Sequence, residues 1–441
     1  MQTLKKLIQQ AGVVGAGGAG FPTHVKLADN IETILINGTE CEPLLKTDFY
    51  LLCEERERLE SALATLIEKT GAKNGVIGIK KHTAELLGMK EEVTHGNISY
   101  RFTGDIYPSG DEVVLIQETL GKTVPAGRLP ISVGVVVMNV ETLYNVANAL
   151  EETPVTHKYL TVGGKTDKTY VMKVPVGTPV SHIFESLKIE VPQNCTVLDG
   201  GPMMGSIVNP NTAIVTKTTK SLLIIDDHTL CIRLKTRSLA DALNRSSGNC
   251  CGCRMCTDMC PRYLMGYPIE PHKIVQRLSA KATDTKTFMG AFYCSNCGVC
   301  QTIACPQNIS PNRLFARVKA ELLKNGVKAV MAEESKPVAE RVYRRVPSKR
   351  LVNRLGIMKY YRDEYEFVTI PEPKRVTIPL KMHIGAPGEA IVKTGDSVTV
   401  GQLIIKPKEN ALGANIHSSV NGTVFSVSES SVVITVSQRF L

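Results

Sequence analysis

The cysteines are the residues of this chain best suited to chemistry. The chain contains 13 cysteines, and nine of them lie between Cys250 and Cys305 in short, repeated spacings. Disulfide frameworks are usually spread along a chain, whereas closely spaced cysteines are typical of metal sites in a reducing compartment. The stretch therefore predicts metal binding.

Two sets of four cysteines each precede a proline. The first set follows the pattern C-x2-C-x2-C-x3-C-P, and the second repeats it with a last gap one residue longer: Cys250, Cys253, Cys256, Cys260; Cys294, Cys297, Cys300, Cys305. This spacing predicts two [4Fe–4S] clusters, and in two-cluster ferredoxins the fourth cysteine of each set serves the other cluster. One cluster would then use Cys305 and the other Cys260. A pair of four-cysteine zinc sites is the alternative. Cys251 falls outside the spacing.

A glycine loop near the N-terminus is the second candidate site. Gly15, Gly17 and Gly20 match G-x-G-x-x-G, but a helical pattern precedes them where a dinucleotide-binding fingerprint requires a strand. Bare backbone amides in such a loop can still approach a phosphate or a flat ring. We expect Lys26, one turn into the next helix, to face the same anion.

Several domains must position these residues, because 441 residues exceed one ordinary core. Apolar β-branched runs at Thr33–Ile36, Gly75–Ile79 and Val133–Val137 alternate with helical patterns and predict α/β architecture. Short strands follow, including Ala213–Thr216 and Leu222–Ile225, then the cysteine motifs with short helices, a basic linker and an all-β end. The predicted segments are 1–155, 156–235, 236–330, 331–375 and 376–441.

Composition narrows the function classes. The formal net charge is +10, which we attribute to acidic cofactors rather than to nucleic acid, because thiolate-ligated clusters and phosphates carry negative charge. No apolar run reaches the roughly 18 residues of a membrane span, and we expect none. No secretory signal is predicted either.

Four motifs, in order, resemble those of a known family. The glycine loop (GAGGAGFPT, 15–23), an acidic loop (NGTECEP, 37–43), YPSGDE (107–112) and NVETL (139–143) resemble the 51-kDa NADH-binding subunit of respiratory complex I and the C subunit of the Rnf complex. The resemblance implies bound FMN with NADH stacked on it. It implies FMN contacts from Gly15, Gly17, Gly18, Lys26, Asn37, Tyr107, Gly110, Asn139 and Thr142. It places Glu40, Glu42 and Glu112 near the NADH ribose and nicotinamide.

The resemblance extends to the other segments. Residues 156–235 resemble the soluble-ligand-binding β-grasp domain of the same family, and residues 236–330 resemble a two-cluster ferredoxin. Residues 376–441 resemble a barrel-sandwich hybrid module without the exposed lysine of a carrier domain, which implies a scaffold. The fold class predicted is multidomain α/β, with a flavin/NADH-binding domain, a β-grasp domain, a ferredoxin-like helical domain and a C-terminal barrel-sandwich β domain.

The order of these domains distinguishes relatives. A barrel-sandwich module at the C-terminus resembles the cobalamin reductases of propanediol utilisation, whereas in the Rnf complex the corresponding protein has this module at its N-terminus. The likeness implies electron transfer from NADH through FMN and two [4Fe–4S] clusters to cobalamin. It implies a corrinoid adenosyltransferase and microcompartment proteins as partners, and a location in the bacterial cytoplasm in or beside a microcompartment. The alternatives are a subunit of an Rnf-like NADH:ferredoxin oxidoreductase and a non-enzymatic cluster relay.

Overall fold

The computed structural model describes residues 1–18, 20–282 and 285–437. The glycine-loop domain (1–155) is built on a five-stranded sheet. The strands Thr94–His95 and Ile98–Thr103 are antiparallel, and the other neighbouring strands are parallel. Alternate side chains of its central strands enter two apolar clusters on opposite faces, with Ile34 on one face and Leu35 on the other. Parallel strands between helices need apolar residues on both faces, and the three predicted strands are confirmed. The strand order is Thr94–His95, Ile98–Thr103, Asn74–Lys80, Thr33–Gly38, Val135–Asn139.

Helices cover both faces of this sheet. The N-terminal helix buries Leu4 and Ile8, as its apolar stripe predicts. Two later helices begin at side-chain caps, Asp111 and Asn139, whose oxygens accept bonds from amides of the first turn. The helices are Gln2–Gln10, Thr23–Lys26, Thr47–Glu54, Arg56–Thr70, Lys81–Leu86, Glu112–Leu120 and Val140–Leu150, with the 3-10 helix Pro130–Val133.

Residues 156–235, which the sequence predicts to be a β-grasp domain and which are called by that name below, contribute five strands to a six-stranded sheet, with the helix Val180–Ser186 packed beside it. The predicted strand Ala213–Thr216 is wrong, because this segment makes one isolated bridge, from Ile214 to Pro179. Threonine hydroxyls in the following turn bond one another and nearby amides, which competes with a strand ladder. The strand order is Ser206–Val208, Cys195–Asp199, Ser221–Asp226, His157–Gly164, Tyr170–Pro175, Glu366–Phe367.

The segment 331–375, expected to be a basic solvated linker, instead packs on three domains. Its strand Val346–Pro347 pairs with Ile106–Tyr107, and Glu366–Phe367 extends the β-grasp sheet. Its helix Ser348–Leu355 buries an apolar stripe against the β-grasp and cysteine domains. Basic residues surround these apolar residues in the sequence, so the composition of the segment does not indicate a buried helix. The 3-10 helices Ala339–Tyr343 and Met358–Tyr360 complete the segment.

The cysteine domain consists of short helices joined by the ligand loops. A π-helix at Cys300–Ala304 accommodates the extra residue before Cys305, since a π-turn adds one residue to a helical turn. The helices are Leu230–Thr236, Leu239–Asn249, Met255–Asp258, Pro261–Leu264, Pro271–Ser279, Thr285–Phe288, the 3-10 helix Met289–Tyr293 and Pro311–Lys324. Among the described helices, none has both the length and the apolarity to cross a bilayer.

The C-terminal module contains two antiparallel sheets around one apolar cluster. It supports the glycine loop directly, because the Ile384 amide donates to the Gly20 carbonyl at 2.9 Å. The buried Lys217 of the β-grasp domain connects the glycine-loop domain to the C-terminal module, because its ammonium donates to the carbonyls of Gly12 and Asn415, at 2.7 and 2.8 Å. The strands are Arg375–Pro379, Glu389–Ala390, Ser397–Val398, Leu403–Lys406, Ile416–His417, Gly422–Val427 and Ser431–Val436.

Candidate functional site

A cavity of about 600 Å³ lies where the glycine-loop, β-grasp and cysteine domains meet. Its volume is within the range of small-molecule and cofactor sites. Most residues that the sequence predicts as cofactor contacts line it: Gly17, Gly18, Asn37, Glu40, Glu42, Tyr107, Gly110 and Asn139. The others are not in its wall: Gly15, Lys26, Glu112 and Thr142.

Two asparagines mark the ends of adjacent strands at the cavity. Asn37 and Asn139 are register partners in neighbouring parallel strands. Asn37 Nδ2 donates to the Gly110 carbonyl at 2.8 Å, and Asn139 Oδ1 accepts from the Glu141 amide at 3.0 Å. Ligands of open parallel sheets bind beyond the carboxyl ends of the strands, and the cavity occupies that position.

The glycine loop forms another part of the wall. Thr142 Oγ1 accepts from the Ala16 amide at 2.9 Å, and the Gly15 amide donates to the Phe21 carbonyl at 2.9 Å. Gly18 has a φ of +110°, and a Cβ there would have no neighbour within 4 Å. Gly15 and Thr142 thus shape the loop, and Gly17 and Gly18 are the members that line the cavity.

Lys26 lies one turn into its helix, as predicted, but is not in the cavity wall. Its helix ends after one turn, and its ammonium donates to the Val137 carbonyl at 3.1 Å. Its Nζ is also 3.5 Å from Glu112 Oε1. The two residues predicted on the flavin phosphate and the NADH therefore pair with each other outside the cavity wall.

Glu42 fastens the β-grasp domain to the cavity. Its carboxylate accepts from the amides of Met203 and Met204, at 2.9 and 2.7 Å. A Cβ on Gly201 would overlap the Glu42 carboxylate, so this close approach requires glycine. Burial raises the pKa of Glu42, and the two amides oppose that rise. Met203 is buried, whereas Met204 is exposed in the cavity wall.

Three ionisable side chains of the cavity wall, Glu40, Asp48 and Lys220, are called the cavity floor below. Asp48 forms a buried ion pair with Lys220 of the β-grasp domain, and Asp48 Oδ2 accepts from Asn139 Nδ2 at 2.8 Å. Burial and the nearby Asp48 raise the pKa of Glu40 to about 8, although Lys220 opposes the rise. Asp48 and Lys220 were missed from the sequence, where each is a single charged residue without a motif.

The eight predicted cluster cysteines form two groups. Cys250, Cys253 and Cys256 line one space together with Cys305. The remaining members line a second: Cys294, Cys297, Cys300 and Cys260. The predicted exchange of the fourth cysteine is therefore present in the fold.

Both groups fit the ligation of an iron–sulfur cubane. The four predicted ligands line each space, and Cys251 is a fifth cysteine at the first. Backbone amides donate to two of the predicted ligands: Asn296 N to Cys294 Sγ and Ile309 N to Cys305 Sγ, both at 3.3 Å. Hydrogen bonds to the sulfurs are a recognised control of cluster potential. Within the described ranges, no three His, Cys, Asp or Glu side chains are arranged to hold a single metal ion.

The second cysteine group adjoins the large cavity. Cys297 lines both the cluster space and the cavity, and Ser295 does the same. The Tyr107 hydroxyl donates to the Cys297 carbonyl at 2.7 Å. One ligand loop is thus shared between the two sites.

Comparison with known proteins agrees with this geometry. Residues 8–148 match the Nuo51 FMN-binding domain, residues 249–310 a 4Fe-4S dicluster domain, and residues 355–438 the RnfC barrel sandwich hybrid domain. The chain is 35% identical to "Cobalamin reductase PduS" of Citrobacter freundii over 98% of its own length and 96% of the relative. The chain belongs to the PduS cobalamin reductase family.

Two further relatives are similar to this chain in sequence. The PduS protein of Salmonella typhimurium is 36% identical over 98% of this chain and 96% of its own length. The C subunit of the Na⁺-translocating ferredoxin:NAD⁺ oxidoreductase complex of Acetobacterium woodii is 30% identical over 59% of this chain and 58% of its own length. The predicted kinship with both groups is confirmed, and the chain is an electron-transfer protein with an FMN-binding domain and a dicluster domain.

The two neighbouring cysteines of the first set provide a test of the ligand assignment. We expect Cys253→Ala to lose one cluster and Cys251→Ala to retain both. Both thiols are exposed beside the same space, but only Cys253 has the ligand spacing. Iron and acid-labile sulfide assays of anaerobically purified protein measure the outcome. Equal iron loss in both variants would contradict the assignment.

Proposed function

We propose that this chain is a reductase that transfers electrons from NADH, by way of FMN and two [4Fe–4S] clusters, to cobalamin. The observation that carries the proposal is the shared loop: the cavity lined by the FMN-domain motifs is also lined by Cys297, a predicted cluster ligand. In this proposal the flavin site and the first [4Fe–4S] cluster are neighbours within one chain. The PduS relatives bear the name cobalamin reductase, which supports the choice of acceptor.

The cavity wall supplies the residues that would hold the flavin. We assign the backbone of Gly17, Gly18 and Gly110 to close approach to a flat ring or a phosphate. A Cβ at Gly18 would enter open space, whereas one at Gly110 would meet the Thr39 carbonyl at 2.7 Å. Asn37, Tyr107 and Asn139 would orient it by hydrogen bonds. When bound, FMN supplies the conversion of a two-electron hydride donor into single electrons.

Glu40 is the group in the cavity best suited to hold a proton. With a pKa raised to about 8, its carboxyl is mostly neutral near pH 7. A neutral carboxyl would not repel the negative charge of an incoming NADH. In this proposal Glu42 does not contact NADH while it bonds Met203 and Met204.

The cluster ligands complete the route. Cys260, Cys294, Cys297 and Cys300 would hold the cluster beside the cavity, and Cys250, Cys253, Cys256 and Cys305 the cluster farther from it. Single-electron carriers suit cobalt, since each reduction from cob(III) through cob(II) to cob(I) takes one electron. We propose that a corrinoid adenosyltransferase consumes the last product, and that the chain works in the bacterial cytoplasm in or beside a microcompartment.

Anaerobic reduction by NADH tests the function. We expect NADH to bleach the flavin and cluster absorbance and then to convert added cob(III)alamin to cob(II)alamin. The absorbance spectrum of the cobalamin measures this conversion. Addition of the adenosyltransferase together with ATP, which supplies the adenosyl group and leaves as its phosphates, should carry the reaction to adenosylcobalamin. A matched reaction with ferredoxin as acceptor is the control.

The control reaction also tests a second candidate. The 30% identity to the Acetobacterium woodii protein favours a role in an NADH:ferredoxin oxidoreductase complex. Rapid reduction of ferredoxin with untouched cobalamin would establish that role and contradict ours. A chain that accepts no electrons from NADH would be a relay supplied by another protein.

A further inference from the structure

The cavity receives one cation from the β-grasp domain. Lys220 directly precedes the strand Ser221–Asp226 and is only 6% exposed. Its ammonium pairs with Asp48 of the glycine-loop domain and lies 3.8 Å from Glu141 Oε2. Among the described residues that line the cavity, Lys220 is the only lysine or arginine.

The other charges of the cavity wall have partners of their own. Asp111 pairs with Arg262 at 2.9 Å, and Glu42 is bonded to two backbone amides. Asp199 accepts from the Thr219 hydroxyl at 3.1 Å. Asp48 therefore depends on Lys220 for positive charge, whereas Glu40, with its raised pKa, is mostly neutral.

Behind this floor lies a second ion pair. Lys158 and Glu141 are buried, form an ion pair, and do not line the cavity. With these two charges cancelling each other, the field at the floor is set by Lys220 and Asp48. Removal of Lys220 alone would leave the floor with an excess of negative charge.

We propose that Lys220 sets the reduction potential of the flavin by fixing the charge of the cavity floor. Reduction adds negative charge to the isoalloxazine ring, and a desolvated cation nearby stabilises that charge more than it would in water. The inference rests on the proposed function, because it requires FMN in this cavity. It makes the β-grasp domain part of the redox centre, with Lys220 as a positioning residue for Asp48 and Glu40.

A purely structural role for Lys220 would be to tie two domains together through Asp48. Charge compensation separates the two roles. The double variant Lys220→Met with Asp48→Asn removes both charges and the interdomain ion pair, so it restores the net charge of the floor without restoring the tie.

The experiment is an anaerobic redox titration of the flavin in the holoenzyme, followed by absorbance. We expect Lys220→Met to shift the flavin midpoint to a more negative potential, Lys220→Arg to remain at the wild-type value, and the double variant to return toward it. An unshifted midpoint in Lys220→Met would overturn the proposal. So would a double variant shifted as far as Lys220→Met.

A further variant keeps the test decisive if Lys220→Met fails to retain flavin. Asp48→Asn removes a negative charge from the same floor, and we expect it to shift the midpoint to a more positive potential. An unchanged midpoint there overturns the role of the floor. A wild-type protein that purifies without FMN and binds none would instead overturn the proposed function.

Discussion

Replacing Cys297 with alanine is expected to remove one cluster and to abolish NADH-driven cobalamin reduction while the flavin stays bound. Cys297 is the predicted ligand that lines both the cluster space and the large cavity. Its loss leaves the nearer cluster one thiolate short, so iron should fall from about eight to about four per chain. Iron, sulfide and flavin assays, with the cobalt spectrum under NADH, measure the result.

Cys41 offers a matched control for this variant. It lines the same cavity but belongs to neither cysteine set, so Cys41→Ala should keep the full iron content. NADH should still bleach the flavin in Cys297→Ala, because the residues assigned to the flavin remain. Full iron in that variant, or cobalamin reduction at the wild-type rate, would contradict the placement of this cluster between flavin and acceptor.

The grouping of the eight cysteines could be predicted from the sequence. Ligand spacing is a local property, and the exchange of Cys260 and Cys305 follows from the repeat of the motif. The π-helix that absorbs the residue before Cys305 could not be foreseen, because it arises from packing of the ligand loop. The spacing therefore predicted how the cysteines group in the fold but not the local backbone.

The large cavity was predictable only on one side. Asn37 and Asn139 end adjacent strands, and that placement follows from the pattern of buried strands. The contact of Lys26 with an anion stays a prediction: Lys26 ends a one-turn helix, and its partner, Glu112, is distant in sequence. Lys220 is distant from every motif of the glycine-loop domain, so only the packing of two domains reveals it.

The segment 331–375 shows how composition can mislead. Its basic residues predicted a solvated linker, but Leu351, Val352 and Leu355 form the buried stripe of a short helix. Spacing of i, i+1 and i+4 in eight residues is too brief for a periodicity argument. Tertiary contacts with the β-grasp and cysteine domains decide the structure of this segment.

The buried pair of Lys158 and Glu141 supports the second large prediction. Both side chains are at most 2% exposed. Glu141 Oε1 accepts from the Tyr159 amide at 3.0 Å, and its other oxygen pairs with Lys158. Burial lowers the pKa of Lys158, while Glu141 opposes that change. The pair joins the first helix turn after Asn139 to the β-grasp strand His157–Gly164.

We expect Glu141→Ala to lower the free energy of unfolding by about 3–5 kcal/mol, because it leaves a buried ammonium without its carboxylate partner and a buried amide without its acceptor. The Ala16 carbonyl, 3.5 Å from Lys158 Nζ, carries no compensating charge. The double variant Lys158→Met with Glu141→Leu should recover most of the loss, since replacing both ions by apolar side chains is often nearly neutral. Urea denaturation of anaerobically prepared protein measures both.

A single variant as stable as wild type would mean that Lys158 finds another carboxylate acceptor. The neighbouring Asp48, already paired with Lys220, would be the carboxylate to examine. A double variant no more stable than Glu141→Ala would show that the pair orders the junction of the two domains rather than merely cancelling its own charges.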